Sequence, residues 1–227
     1  MTEATGSPAR TGQKELDRLR RVIDPSTTAV LTMELQQGIV GGNATLPALV
    51  EEVQRSGMLD VVRRLCDGAR QAGVRVVHCT HQTRPDGAGA TVNCKIFALS
   101  ERIRIENGVA PTQIGTPGVE LIDGLADPVD IVVPRLTGMT AFTSTQLDQI
   151  LRNLGIKTVV ATGVSVNLGI YGMALSALDL GYQVVIPRDA VAGVPADFAQ
   201  TVIDQSLSLI ATITSADDLL EVFGSGR

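Results

Sequence analysis

A carboxylate stands where an apolar run should simply end. Glu34 closes Thr28-Ala29-Val30-Leu31-Thr32-Met33. An acid there can be a buried ion-pair partner, the start of a loop, or a general acid or base. Arg135 closes a second apolar run, Ile131-Val132-Val133-Pro134. Its guanidinium stays charged and offers paired N–H donors to a carboxylate. Gly163-Val164-Ser165-Val166-Asn167 misses a G-x-S-x-G elbow by its last residue. A Ser165 nucleophile would also need a histidine base, and the chain has only His78 and His81. Three apart on a strand, those two project to opposite faces, so they read as structural or surface histidines rather than a metal pair. No G-x-G-x-x-G and no P-loop is present, so no cofactor and no dedicated metal site are expected.

The segments carrying these residues alternate between strand and helix. Strands are predicted over 28–34, 74–80, 130–133, 157–162 and 183–187, with an edge strand over 211–214. Helices are predicted over 58–72, 93–104, 145–153, 168–180 and 197–211, several ending at a glycine (Gly73, Gly155, Gly181). Such alternation implies right-handed crossovers and an α/β fold, a three-layer α/β/α sandwich with a mostly parallel sheet of about six strands. Ligands bind beyond the carboxyl ends of such strands. That directs attention to Glu34, to His81 through Arg84, to Arg135 and to the turn 163–169. Residues 81–118 hold five glycines and three prolines, and a long irregular segment after a strand reads as a functional lid.

Composition bounds the rest. The chain of 227 residues is 44% hydrophobic and 3% aromatic, without Trp, so its core is built from Val, Ile, Leu and Ala. A net charge of −5 argues against a nucleic-acid groove, although a few local arginines suffice for an anionic small substrate. Cys66, Cys79 and Cys94, with no CxxC spacing, read as reduced thiols of a cytoplasmic protein. There is no signal-peptide core and no apolar run of membrane length, so no membrane partner is expected. Residues 1–24 read as an N-terminal arm, a solvated helix or a segment packing on a neighbouring subunit; residues 25–223 read as a single domain.

Taken in order, several short stretches are recognisable. They are Ile23-Asp24-Pro25, Glu34-Leu35-Gln36-Gln37-Gly38-Ile39-Val40, Ala141-Phe142-x-x-Thr145-x-Leu147, the Gly163-Val164 turn, and Gly181-Tyr182 ahead of Arg188-Asp189-Ala190. Over about residues 23–215 this series resembles the isochorismatase-like superfamily. The amidohydrolases of that superfamily use an Asp, a Lys and a nucleophilic Cys. The resemblance matches those positions to Glu34, Arg135 and Gly169. A glycine carries no nucleophile, so covalent thiol catalysis at that position is excluded. True isochorismatases also carry Gly there and hydrolyse a vinyl ether without a covalent intermediate. The resemblance then implies that Glu34 is the general acid and that Gly169 makes room for the substrate. It implies that Gln82 contacts substrate, and that Arg84 or Arg135 pairs with a substrate carboxylate. Phe142, Val164 and Ser165 complete the implied substrate site. It also implies a cis peptide bond at Val164–Ser165, and a homo-oligomer whose lid packs across subunits.

Electrostatics complicate the acid role. A general acid at neutral pH needs a raised pKa, which burial of Glu34 supplies. A touching Arg135 works against it and favours a base, or half of an inert ion pair. Two function classes therefore stay open. One is a cysteine-independent hydrolase acting on a small carboxylated substrate. The other is a catalytically silent relative that binds a metabolite or serves as an assembly partner.

Overall fold

The computed structural model describes residues 8–225, with side chains from residue 12 onward. Seven strands form its sheet: β1 (Thr28–Met33), β2 (Arg75–His81), β3 (Ile131–Arg135), β4 (Thr158–Val164), β5 (Gln183–Pro187), β6 (Val191–Ala192) and β7 (Thr212–Thr214). The spatial order is β3-β2-β1-β4-β5-β7, with β6 beside β4. Every strand pairing is parallel. β1 and β4 are buried at every residue, which explains why they read as continuous apolar runs. β3 lies at one edge and exposes Val132; β7 lies at the other.

Two hydrophobic clusters cover the two faces, and alternation along each strand divides residues between them. Val30 of β1 belongs to one cluster, whereas Ala29, Leu31 and Met33 belong to the other. The first face is covered by α1 (Pro8–Val22), α2 (Pro47–Ser56), α3 (Met58–Gln71) and α9 (Ala216–Gly224). The second is covered mainly by α5 (Leu147–Asn153), α6 (Tyr171–Asp179) and α7 (Ala196–Val202), which continues into α8 (Ser208–Ile210). α3 shows how pattern becomes packing. Met58, Val62, Leu65, Cys66 and Ala69 recur at helical spacing, and all are fully buried. α4 (Lys95–Asn107) buries none of its residues completely and belongs to the segment expected to be a lid.

Several expectations need correction. The expected strand over 28–34 stops at Met33, because Glu34 adopts a left-handed φ of 56° and leaves the sheet. Helix 168–180 begins earlier, as a wide π turn over Val166–Ile170 that runs into α6. Helices α2 and α9 were not anticipated. α2 starts with Pro47 in its first turn, and α9 is capped by Ser215, whose Oγ accepts from the Asp218 N–H at 3.2 Å. The first seven residues of the expected arm lie outside the described residues. Most of the rest of that arm is α1, which packs on its own chain. Leu19 is 1% exposed, and Arg20 pairs with Glu221 of α9 at 3.1 Å. One apolar side to an otherwise polar helix suffices to dock it there.

Among the described residues no helix is long and apolar enough to cross a membrane. No three metal-capable side chains cluster there either.

Candidate active site

The chain order reverses between β1 and β4: β2 and β3 lie to one side of β1, and β4, β5 and β7 lie to the other. A crevice forms at such a switch point, outside the carboxyl ends of the strands. A cavity of about 150 Å³ opens there. Glu34 enters it from the end of β1, His81 from the end of β2, and Ser165 and Gly169 from the turn after β4. α4 lays Ile96, Phe97, Leu99, Ser100 and Ile103 along the same cavity. That placement agrees with the reading of residues 81–118 as a lid.

The left-handed kink at Glu34 is tied down on both sides. Its own N–H donates to the Cys79 carbonyl at 2.9 Å, and the Gln36 N–H donates to its carbonyl at 2.9 Å. The kink delivers the side chain to Arg135 at the end of β3. Glu34 Oε1 accepts from Arg135 Nη2, forming an ion pair whose arginine side chain is 1% exposed and whose glutamate side chain is 18% exposed. Arg135 Nε donates to the Gly138 carbonyl at 3.0 Å, and Nη1 has no hydrogen-bond partner among the described residues. The second oxygen of Glu34, Oε2, makes no hydrogen bond to any described residue. One carboxylate oxygen is thus fixed, and the other remains available to a ligand.

Gln36 sets the end of β2. Its amide donates to the His81 carbonyl at 2.8 Å and to the Val119 carbonyl at 2.8 Å, while its Oε1 accepts from the His81 N–H at 2.8 Å. The His81 ring stacks on Phe97 of α4, with centroids 6.5 Å apart and planes 16° from parallel. Its Nδ1 lies 2.9 Å from Thr112 Oγ1. Burial holds the imidazole below its ordinary pKa; Glu34 pulls the other way and Arg135 reinforces the lowering.

The turn after β4 carries a cis peptide bond at Val164–Ser165, as the resemblance implied. Gly163, at φ 107°, lies against the backbone of Met33, where a Cβ would come within 2.3 Å of the Met33 carbonyl oxygen. Gly169 is also crowded from below. A Cβ there would meet Met33 Cε and the Val164 carbonyl oxygen, each at 3.0 Å. Met33 fills the space beneath Gly169 and is itself fully buried.

The structure brings together some of the anticipated residues and separates others. Glu34, Ser165 and Gly169 line the cavity, and Arg135 stands behind Glu34. Gln82 does not line it. Adjacent residues on extended backbone point to opposite sides, and His81 takes the cavity side. Arg84 does not reach it either. It is held at the surface by Asp86, two residues on, through Nε at 2.9 Å and Nη2 at 2.7 Å. Phe142 is a core residue, tilted against Tyr182 with ring centroids 5.9 Å apart. The Val164 side chain is buried in the core as well. Among the described residues no Lys or Arg lines the cavity, so the expected anionic substrate finds no free cation there. Arg135, the anticipated anion clamp, is occupied by Glu34.

His81 was underweighted in the sequence. Its signal was its place immediately at a strand end, within the segment singled out for ligand contact. His78 is structural, as expected. It is fully buried, with Nδ1 2.7 Å from Thr32 Oγ1 and Nε2 2.9 Å from Asp130 Oδ2. None of the three cysteines lines the cavity. Burial pushes the Cys66 and Cys79 thiols up to about 12, and Cys94 is exposed.

Comparisons with known proteins agree with this architecture. The chain is 27% identical over 229 residues to the ureidoacrylate amidohydrolase RutB of Pseudomonas savastanoi pv. phaseolicola, covering 96% of this chain and 91% of that protein. It is 30% identical over 183 residues to a ureidoacrylate amidohydrolase RutB of Methylorubrum extorquens, covering 76% and 73%. An isochorismatase family protein from Desulfovibrio vulgaris superposes with a TM-score of 0.73 at 26% identity, covering 87% of this chain and 98% of that one. A cysteine hydrolase from Pseudomonas syringae pv. phaseolicola superposes with a TM-score of 0.72 at 22% identity over 91% and 96%, a likeness of fold. The isochorismatase domain profile matches residues 28–218. With that match spanning most of the chain, and the crevice where the α/β sheet predicts it, the protein belongs to the isochorismatase family of hydrolases.

Proposed function

We propose that this chain hydrolyses a small neutral carboxamide or ureide without a nucleophilic side chain. The observation that carries the reading is Glu34, one oxygen held by Arg135 and the other open, on a cavity that no cysteine lines. Glu34 Oε2 takes a proton from a water as the water oxygen bonds to the substrate carbonyl carbon. The C–N bond then breaks, and the proton passes from Glu34 to the leaving nitrogen. Arg135 holds the carboxylate in place through the ion pair. By the resemblance Gly169 stands at the position of the family's cysteine; it puts no side chain on the cavity wall, and the space a Cβ would take is already filled by Met33 and the Val164 carbonyl. The apolar side chains of α4, with Leu46 and Leu49 of the facing segment, suit an uncharged, partly apolar substrate.

The amidohydrolase names of the relatives support a C–N bond as the target. Vinyl-ether hydrolysis needs Glu34 as a proton donor, and its pairing with Arg135 opposes that. The same pairing is what a purely structural ion pair would show, and it supports the second reading, a silent member that binds a metabolite. Turnover of a panel of carboxamides, ureides and isochorismate, by wild type and Glu34→Gln, separates the readings. Turnover of amides or ureides that Glu34→Gln abolishes is expected. Binding without turnover assigns the silent role, and turnover of isochorismate alone assigns the vinyl-ether reaction.

A further inference from the structure

We infer that His81 is a second catalytic residue of this site, a neutral imidazole whose Nε2–H donates to the oxygen that gains charge as water adds to the substrate carbonyl. The inference rests on the hydrolytic reading above and names a residue outside it.

Three observations on the ring carry it. The first is position: His81 lines the cavity together with Glu34, and its backbone is clamped on both sides by the Gln36 amide. The second is its hydrogen bonding. Nδ1 faces Thr112 Oγ1 at 2.9 Å, and Thr112 is 3% exposed with no other partner for that hydroxyl among the described residues. Donation of that hydroxyl to Nδ1 satisfies both groups and puts a neutral ring's own proton on Nε2, whereas the Nδ1–H tautomer would leave the buried hydroxyl proton with no acceptor among the described residues. Nε2 makes no hydrogen bond to any described residue. The third is orientation: the ring lies nearly parallel to Phe97 and is tethered at Nδ1 by Thr112, so the donor has a set direction before substrate arrives.

The charged groups around the ring are compatible with a neutral imidazole. Glu34 and Arg135 face it from the ends of β1 and β3 as a mutually compensated pair. Glu101 of α4, which lines the adjoining hollow, is paired with Arg104 at 2.7 Å. Burial keeps the ring below its ordinary pKa, so it donates without first becoming an imidazolium. Glu34 and His81 then divide the work. Glu34 moves the proton, and His81 stabilises the oxygen. Thr112 is a positioning residue that acts through the tautomer.

The test combines a spectroscopic readout with turnover. The chain has two histidines, so 15N-histidine labelling gives two ring spin systems, and His81→Gln assigns them by loss of one. The expected result is a neutral Nε2–H tautomer for His81. Thr112→Val should mix the tautomers, and Thr112→Ser, which keeps the hydroxyl, should restore the single one. On the best amide or ureide of the panel, His81→Phe should lower kcat about 100-fold with little change in KM. His81→Gln keeps an N–H donor and should lose less, about 10-fold, and it serves as the folded control should the phenylalanine variant aggregate. An Nδ1–H tautomer overturns the proposal. So does turnover that survives His81→Phe while still depending on Glu34. Wild type inactive on the whole panel overturns the hydrolytic reading and this role with it, a failure distinguished by its being independent of any substitution at His81.

Discussion

The Glu34–Arg135 pair allows a quantitative test of what holds the site together. Glu34→Gln removes the charge that faces a guanidinium 1% exposed to solvent. Arg135 would keep the Gly138 carbonyl and a neutral amide oxygen as acceptors but no balancing charge, with Nη1 already lacking a partner among the described residues. Stranding one half of a buried pair costs about 3–5 kcal/mol. Glu34 is 18% exposed, so water reaches this end of the pair and the lower figure, about 3 kcal/mol, is expected. With a urea m-value of about 3 kcal/mol/M, that moves the unfolding midpoint down by about 1 M. Arg135→Met alone leaves a glutamate that partly rehydrates, and should cost about 2 kcal/mol. The double change removes both charges and should recover about 2–3 kcal/mol of the summed penalties as coupling energy. Equilibrium urea unfolding of the four proteins, followed by far-UV circular dichroism, measures the cycle. A coupling below about 0.5 kcal/mol would refute the reasoning, because it would mean that neither charge depends on the other for its burial.

Three further outcomes follow from the geometry. Gly169→Cys should lower stability by about 1–3 kcal/mol, because its Cβ meets the buried Met33 thioether and the Val164 carbonyl; thermal unfolding of this variant and of Gly169→Cys with Met33→Val checks it, the second change relieving the loss. At pH 8 a maleimide should label native protein at Cys94 alone, since burial holds Cys66 and Cys79 up at about 12; Cys94→Ser should remove the labelling and leave turnover unchanged, and mass spectrometry reads the result. Acid should destabilise the protein through the buried Asp130 cluster. Burial alone would raise the Asp130 carboxyl, but hydrogen bonds from Arg70 and His78 hold it below its ordinary 3.8, so its contribution is complete above 3.8 and is lost as pH falls through the lower folded value. His78, held below its ordinary 6.5 first by burial, adds a loss that begins as pH drops under 6.5. Urea midpoints from pH 7 to pH 3 should fall less steeply in Asp130→Asn, and an unchanged slope would remove Asp130 from the account.

Much of the fold was written in local periodicity. Apolar runs of strand length, helical spacing such as that of Met58, Val62, Leu65 and Ala69, and glycine stops depend on residues near one another in sequence. They marked the principal strands and most of the larger helices. The segments missed had weaker local signals. α2 has a narrow apolar side, with only Leu49 and Val53 fully buried. α9 carries a clear Ser215-to-Asp218 cap, yet its apolar face has meaning only against α3 and α1.

The site divides in the same way. Local pattern was enough to tell which residues stand at strand ends, and hence that Glu34, His81, Arg135 and the turn 163–169 meet at one edge of the sheet. It was also enough to tell that no thiol stands at Gly169. Which side chains face the cavity, and which partners they take, came from packing in three dimensions. Arg84 is spent on Asp86, Arg135 on Glu34, and Phe142 on the core around Tyr182. Strand order placed β3 beside β2, so that Arg135, 101 residues beyond Glu34, became its ion-pair partner. The difference is one of range. Propensity and periodicity act over a few residues, whereas ion pairing, tautomer choice and burial depend on neighbours that only the packed sheet brings together.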